Sequence, residues 1–146
     1  MPTHAEQRTL PYTAEQLFAL VADVEKYPEF LPWCLSCRIL RREDQLIYAD
    51  LVIGYGVVRE KFTSKVVLDS PRTIRVEYLH GPLKYLSNKW QFIPQPDGSC
   101  TIDFYVDFEF RNLVFQKLMG VFFNELVRRM VGAFEQRAKD LYRPVN

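Results

Sequence analysis

Apolar residues recur along this chain with two different periods. Between Cys34 and Phe110 they alternate with polar ones. Val58, Glu60, Phe62, Ser64, Val66 and Leu68 face one way, while Arg59, Lys61, Thr63, Lys65 and Asp69 face the other. The same code runs through Ile74, Val76 and Tyr78, through Leu86, Asn88, Trp90 and Phe92, and from Cys100 to Phe110. It predicts antiparallel strands with one face on a core and one in water. Turn residues at Arg42-Glu-Asp44, Gly54-Tyr-Gly56, Asp69-Ser-Pro71, His80-Gly-Pro82 and Gln95-Pro-Asp-Gly98 cut the stretch into six strands. From Asn112 to Tyr142 the period becomes helical. Phe115, Leu118, Met119, Phe122, Leu126, Met130, Phe134 and Leu141 share one face, with Asn112 as N-cap and Pro144 as the stop. Val114, Val121 and Phe123 widen the apolar stripe in the first half almost around the cylinder, so the helix must be covered on more than one side. Its polar face carries Lys117, Asn124, Arg128, Glu135 and Lys139, and Glu125–Arg129 and Glu135–Lys139 are spaced as i,i+4 pairs.

Before the strands, His4–Leu10 predicts a first strand. Thr13-Ala-Glu-Gln16 is a capping box with Tyr12 and Leu17 as its hydrophobic staple, opening a helix that runs to about Glu25. In Tyr27-Pro-Glu-Phe-Leu-Pro-Trp33 two prolines limit any helix to a single turn. The order is strand, two short helices, six strands, long helix. An α+β fold satisfies it, with a curved antiparallel sheet of about seven strands wrapped around the C-terminal helix.

Size and charge narrow the function. The 146 residues suit one domain spanning residues 1–146. A net charge of +1 makes no bulk electrostatic case for nucleic acid, DNA included, or for an anionic membrane. The polar opening from Met1 to Gln7 is not expected to be a signal peptide, and no run approaches the length of a membrane span. Three cysteines argue against a disulfide framework and for a reducing compartment, so the expected location is the cytoplasm.

Four strings carry a family resemblance: Tyr27-Pro-Glu-Phe-Leu-Pro-Trp-Cys34; Gly54-Tyr-Gly56 followed by Arg59-Glu-Lys-Phe-Thr-Ser64; Gly81-Pro-Leu83 with Asn88-Lys-Trp-Gln-Phe92; and Asp107-Phe-Glu-Phe110. With the element order, they resemble the coenzyme Q-binding protein and ribosome association toxin family. That family lies within the START-like helix-grip, or polyketide cyclase/dehydrase, superfamily. The resemblance implies an apolar tunnel between sheet and helix, ubiquinone or another isoprenoid lipid as bound ligand, and a non-enzymatic role in bacterial respiration. It also implies transient contact with the inner membrane or respiratory complexes. The competing implication is a toxin that binds the large ribosomal subunit and blocks subunit joining. A cyclase or dehydratase using Glu60, Tyr78 or His80 is a third reading.

Candidate cavity residues follow from parity and aromatic surplus. Glu60, Ser64 and Asn88 share a face with large apolar neighbours, where an unpaired polar group is costly, so either a cavity with ligand or water lies there or the alternation breaks at a bulge. Ser64 and Asn88 are candidates to hydrogen-bond a quinone oxygen. Tyr55, Phe62, Tyr78, Trp90, Phe104, Met119 and Phe122 are expected to line the cavity, with Trp33 beside its entrance and Tyr27, Pro28, Phe30 and Pro32 at the mouth. Asp50 has ambiguous parity. Cys34-Leu-Ser-Cys37 lacks a four-ligand set for zinc, and in a regular strand its thiols point to opposite faces. Gly120 and Gly132 each cost the long helix about 1 kcal/mol relative to Ala; a hinge at Met119-Gly120 is one reading, close approach to the sheet the other.

Overall fold

The structure is a computed structural model that describes residues 3–31, 33–55 and 58–145, apart from the side chains of residues 55, 58, 115, 118–120 and 122. Strand β1 (Thr3–Leu10) leads through helix α1 (Ala14–Ala22) and a 3-10 helix (Val24–Glu29) into six strands. These are β2 (Cys34–Glu43), β3 (Leu46–Tyr55), β4 (Val58–Asp69), β5 (Thr73–His80), β6 (Leu83–Pro94) and β7 (Cys100–Phe110). Helix α2 (Leu113–Leu141) closes the chain.

The strands form one antiparallel sheet in the order β1-β7-β6-β5-β4-β3-β2. Every step from β2 to β7 joins sequence neighbours, as short turns require. Only the segment from β1 to β2 crosses between the two edges, and α1 and the 3-10 helix make that crossing. The capping box holds α1 in place. Gln16 N–H donates to Thr13 Oγ1 at 3.1 Å, and Thr13 N–H donates to Gln16 Oε1 at 3.0 Å. Both staple residues, Tyr12 and Leu17, are buried. The α-helical part of this segment ends at Ala22, short of the expected Glu25, and a tighter helix takes over with Pro28 inside it. Proline removes one amide donor, which a short 3-10 segment tolerates better than a longer α-helix.

The alternating pattern maps onto the sheet as expected. Ile47, Ala49, Leu51, Val66, Ile74, Trp90, Phe92, Ile102, Phe104 and Val106 belong to one buried cluster, together with α1 and α2 residues. Of the eight positions on the face read from sequence, the side chains of Phe115, Leu118, Met119 and Phe122 lie outside the described residues, Phe134 is buried, Leu126 and Met130 are half-buried and Leu141 is 51% exposed. Among the described residues of α2 the buried ones are Phe123, Val127, Phe134 and Ala138. A stripe as wide as this one leaves the contact line undetermined until the sheet selects it. Asn112 does cap the helix, its Oδ1 accepting from Val114 N–H at 2.9 Å. Glu125 pairs with Arg129 at 3.1 Å, but Glu135, placed in sequence to pair with Lys139, reaches across to Arg8 on β1 at 3.1 Å.

Candidate functional site

Two groups of predicted residues separate along the face that α2 crosses. Around the second half of α2, Phe134 meets Trp90 at 5.0 Å between ring centroids, Phe30 at 5.2 Å and Tyr27 at 5.3 Å, all edge-on. Trp90 in turn meets Phe104 at 4.6 Å. Edge-to-face rings at these distances gain more than their buried area alone. The Tyr27 hydroxyl donates to the Val21 carbonyl, and burial pushes its pKa upward, so it stays neutral. Four residues expected at the cavity or its mouth, Tyr27, Phe30, Trp90 and Phe104, thus form a packed cluster. Arg137 covers Phe30 at 5.1 Å and pairs with Glu29 at 3.2 Å.

A cleft borders this cluster between β1 and α2, lined by Glu6, Arg8, Trp90, Phe104, Phe134 and Glu135 among others. The room inside it is about 20 Å³, enough for a water molecule and not for a quinone ring. Glu6 takes hydrogen bonds from His4, at 2.9 Å, and from Arg8, whose guanidinium also holds Glu135. Burial raises the Glu6 pKa, but the hydrogen bonds from His4 and Arg8 outweigh it and hold the carboxyl below its ordinary value. Glu6 and Arg8 are absent from the sequence-derived site. Their two-residue spacing to buried Leu10 was the available signal.

The second group lies toward β3, β4 and β5. Register pairs Ser64 with Ala49 and Tyr78, Phe62 with Leu51, and Glu60 with Ile53, all on the buried face. Ser64 is 1% exposed, and its hydroxyl has no hydrogen-bond partner. Glu60 is half-buried. The Tyr78 hydroxyl accepts from Leu83 N–H at 2.9 Å and so straps the β5–β6 turn. Gly81 in that turn has φ +146°, and a Cβ there would stand 2.7 Å from Phe62 Cβ, which is why no larger residue fits. Asn88 donates through Nδ2 to the Tyr105 carbonyl at 2.9 Å. Half-buried Trp33 accepts at its carbonyl from Gly54 N–H at 2.9 Å, which ties the connector to the end of β3. Pro28 is half-buried within the 3-10 helix. Pro32 and the side chains of Tyr55, Met119 and Phe122 lie outside the described residues, and so do the surroundings of Gly120, on which the hinge reading falls.

Two other sequence readings resolve differently. Asp50 faces away from α2, opposite Thr63, whose hydroxyl donates to it. Cys34 and Cys37 do not point to opposite faces. A bulge at Leu35 pairs Cys34 with Ile53 and Cys37 with Leu51, placing both thiols on the buried side. Burial pushes both thiols up to about 11, with Cys37 adding to the shift at Cys34. They are protonated at neutral pH and correspondingly unreactive. Among the described residues, no three His, Cys, Asp or Glu side chains converge as a metal site.

A sheet of this order closed by a C-terminal helix, with a mixed polar and apolar face between them, defines a START-like helix-grip protein. The chain belongs to the polyketide cyclase/dehydrase and lipid transport family, whose model matches residues 10–135, and within it to the group of coenzyme Q-binding proteins and ribosome association toxins. The ribosome association toxin RatA of Escherichia coli K12 is 37% identical over 97% of this chain and 90% of its own length. The coenzyme Q-binding protein COQ10 homolog B of Xenopus laevis, a mitochondrial protein, is 35% identical over 95% of this chain and 59% of its own length. Among solved structures, the Zhui aromatase/cyclase of Streptomyces sp. R1128 superposes with a TM-score of 0.85. It covers 97% of this chain and 96% of its own at 16% identity, a likeness of fold alone.

Proposed function

We propose that this protein binds ubiquinone, or a similar isoprenoid lipid, as a carrier or chaperone for respiratory electron transport, and catalyses no reaction. The observation that carries the reading is Ser64. A hydroxyl buried without a partner costs about 1–3 kcal/mol, and a quinone carbonyl would offer the Ser64 hydroxyl an acceptor. Glu60, Phe62 and Tyr78 flank that position on the same face. The ligand lies between this part of the sheet and the first half of α2, since the cleft at the second half has room only for water. Burial of isoprenoid surface supplies affinity at about 25 cal/mol per Å², and the head-group contact supplies orientation. The name of the Xenopus relative supports quinone as the ligand. A binding role fits the polar groups as well. The Tyr78 hydroxyl and Asn88 amide are engaged by backbone and do not converge on a reacting centre.

Organic extraction of the purified protein followed by mass spectrometry tests this. A stoichiometric isoprenoid quinone is expected. An empty extract, together with failed loading by added quinone, overturns the reading.

The name of the Escherichia coli relative favours a second function, association with a ribosomal subunit. Co-sedimentation with isolated subunits at low salt is the expected result under that reading, and its absence discards it.

A further inference from the structure

The outer face of the sheet, turned away from both helices, carries a row of exposed residues that packing does not require. Register sets Ala5, Tyr105, Lys89 and Arg75 side by side across β1, β7, β6 and β5. All four are exposed, Tyr105 by 36%. Their chain neighbours Phe104, Trp90 and Ile74 are buried with α1 and α2 on the opposite face. Lys89 stands directly opposite Arg75, and like charges at opposed positions destabilise a sheet. Glu77 is shared between Arg75 at 3.9 Å and Lys65 on β4 at 3.6 Å, so one carboxylate answers two cations. Lys89 makes no ion pair among the described residues. The acids on β7 are already engaged. Asp107 accepts from the Tyr85 hydroxyl at 3.1 Å and the Tyr105 hydroxyl at 3.4 Å, and Asp103 accepts from Gln7 at 3.5 Å. Beside Tyr105 on β1 stands Ala5, whose methyl group covers little of an aromatic ring. The net charge of +1 averages over this local excess of cations and does not show it.

We propose that this row binds single-stranded RNA. Lys89, Arg75 and Lys65 hold phosphates while a base stacks on Tyr105, the combination by which a sheet surface takes a single strand. Neighbouring strands lie about 4.8 Å apart, so the ring and the two cations of the row span about 10 Å. Adjoining nucleotides of one strand reach all three. The ring together with the cations selects this occupant. An acidic protein would use the cations and gain less from the ring, and a second copy docked symmetrically would set like charges against each other. The row deepens the ribosomal reading by naming RNA as the part of the subunit that is contacted, and it rests on that reading for the source of the RNA only.

Full-length protein is titrated into fluorescein-labelled oligouridylate and binding is followed by anisotropy. Binding is expected, and is expected to weaken as salt is added. Lys89→Glu is expected to bind at least about tenfold more weakly. Its melting temperature is expected to hold or rise, because the new carboxylate faces Arg75, and this separates lost binding from lost folding. Tyr105→Ala is expected to lose about tenfold and Tyr105→Phe little, since a base stacks on the ring and not on the hydroxyl. No binding by the unaltered protein, or unchanged affinity in Lys89→Glu or Tyr105→Ala, overturns the proposal. So does displacement of the RNA by polyglutamate of equal charge, which would assign the row to an acidic protein. Because the probe is free RNA, oligomer binding without co-sedimentation with ribosomal subunits would defeat the ribosomal reading and leave this face standing. Co-sedimentation without oligomer binding would do the reverse.

Discussion

Phe134 and Val121 stand on the same helix, one wedged among Trp90, Tyr27 and Phe30, the other open to solvent. Around Phe134 the helix is fixed from two sides, by Arg8–Glu135 to β1 and by Arg137–Glu29 to the 3-10 helix. Toward Val121 the described contacts reach the end of β7. Phe123 meets Phe108 at 5.2 Å, and Gln116 accepts from Phe110 N–H at 2.8 Å. The difference teaches how a grip fold divides its labour. One half of the helix supplies the close packing on which stability depends. The other carries apolar surface beyond what the sheet covers, and such surface marks binding sites.

The largest effect that sharpens this contrast is Phe134→Ala. Removing a ring that three other aromatics contact is expected to cost about 3–5 kcal/mol in denaturant unfolding, whereas Val121→Ser should stay within about 0.5 kcal/mol. Equal costs would erase the distinction between the halves. Ser64→Ala comes next. It removes a hydroxyl that has no partner, so stability is expected to hold or rise by about 1 kcal/mol while quinone loading falls. A clear loss of stability would show that the hydroxyl is already satisfied within the fold. The smallest effect concerns the charged chain at the clamped half. The folded-state pKa of Glu6 lies below its ordinary value of 4.5, so its contribution is complete above that pH and lost as pH falls through the lower folded value. Glu6→Gln is therefore expected to flatten the acid limb of the stability curve. At these partly exposed positions the change should be under about 1 kcal/mol. An unaltered acid limb would remove Glu6 from the clamp.

Much of this molecule was legible before any coordinates. Seven strands, two short helices and a long one follow from whether apolar residues recur every two positions or every three to four, because a strand and a helix present their faces with those periods. Local signals were equally direct: the Thr13–Gln16 capping box, the Asn112 cap and the turn at Gly81 act through neighbouring backbone and depend little on the rest of the fold. What distant segments do to one another was not legible. The buried line of α2 settled on Phe123, Val127, Phe134 and Ala138 because the sheet had to choose within a stripe too wide to choose for itself. Glu135 left its helical partner for Arg8, a residue at the other end of the chain. A single bulge at Leu35 reversed the relation of Cys34 to Cys37, since one inserted residue flips every side chain beyond it. Of the aromatics that parity assigned to one cavity, Tyr27, Phe30, Trp90 and Phe104 pack instead into a cluster with Phe134. Period determines which way a residue faces, and only the tertiary structure determines what it meets there.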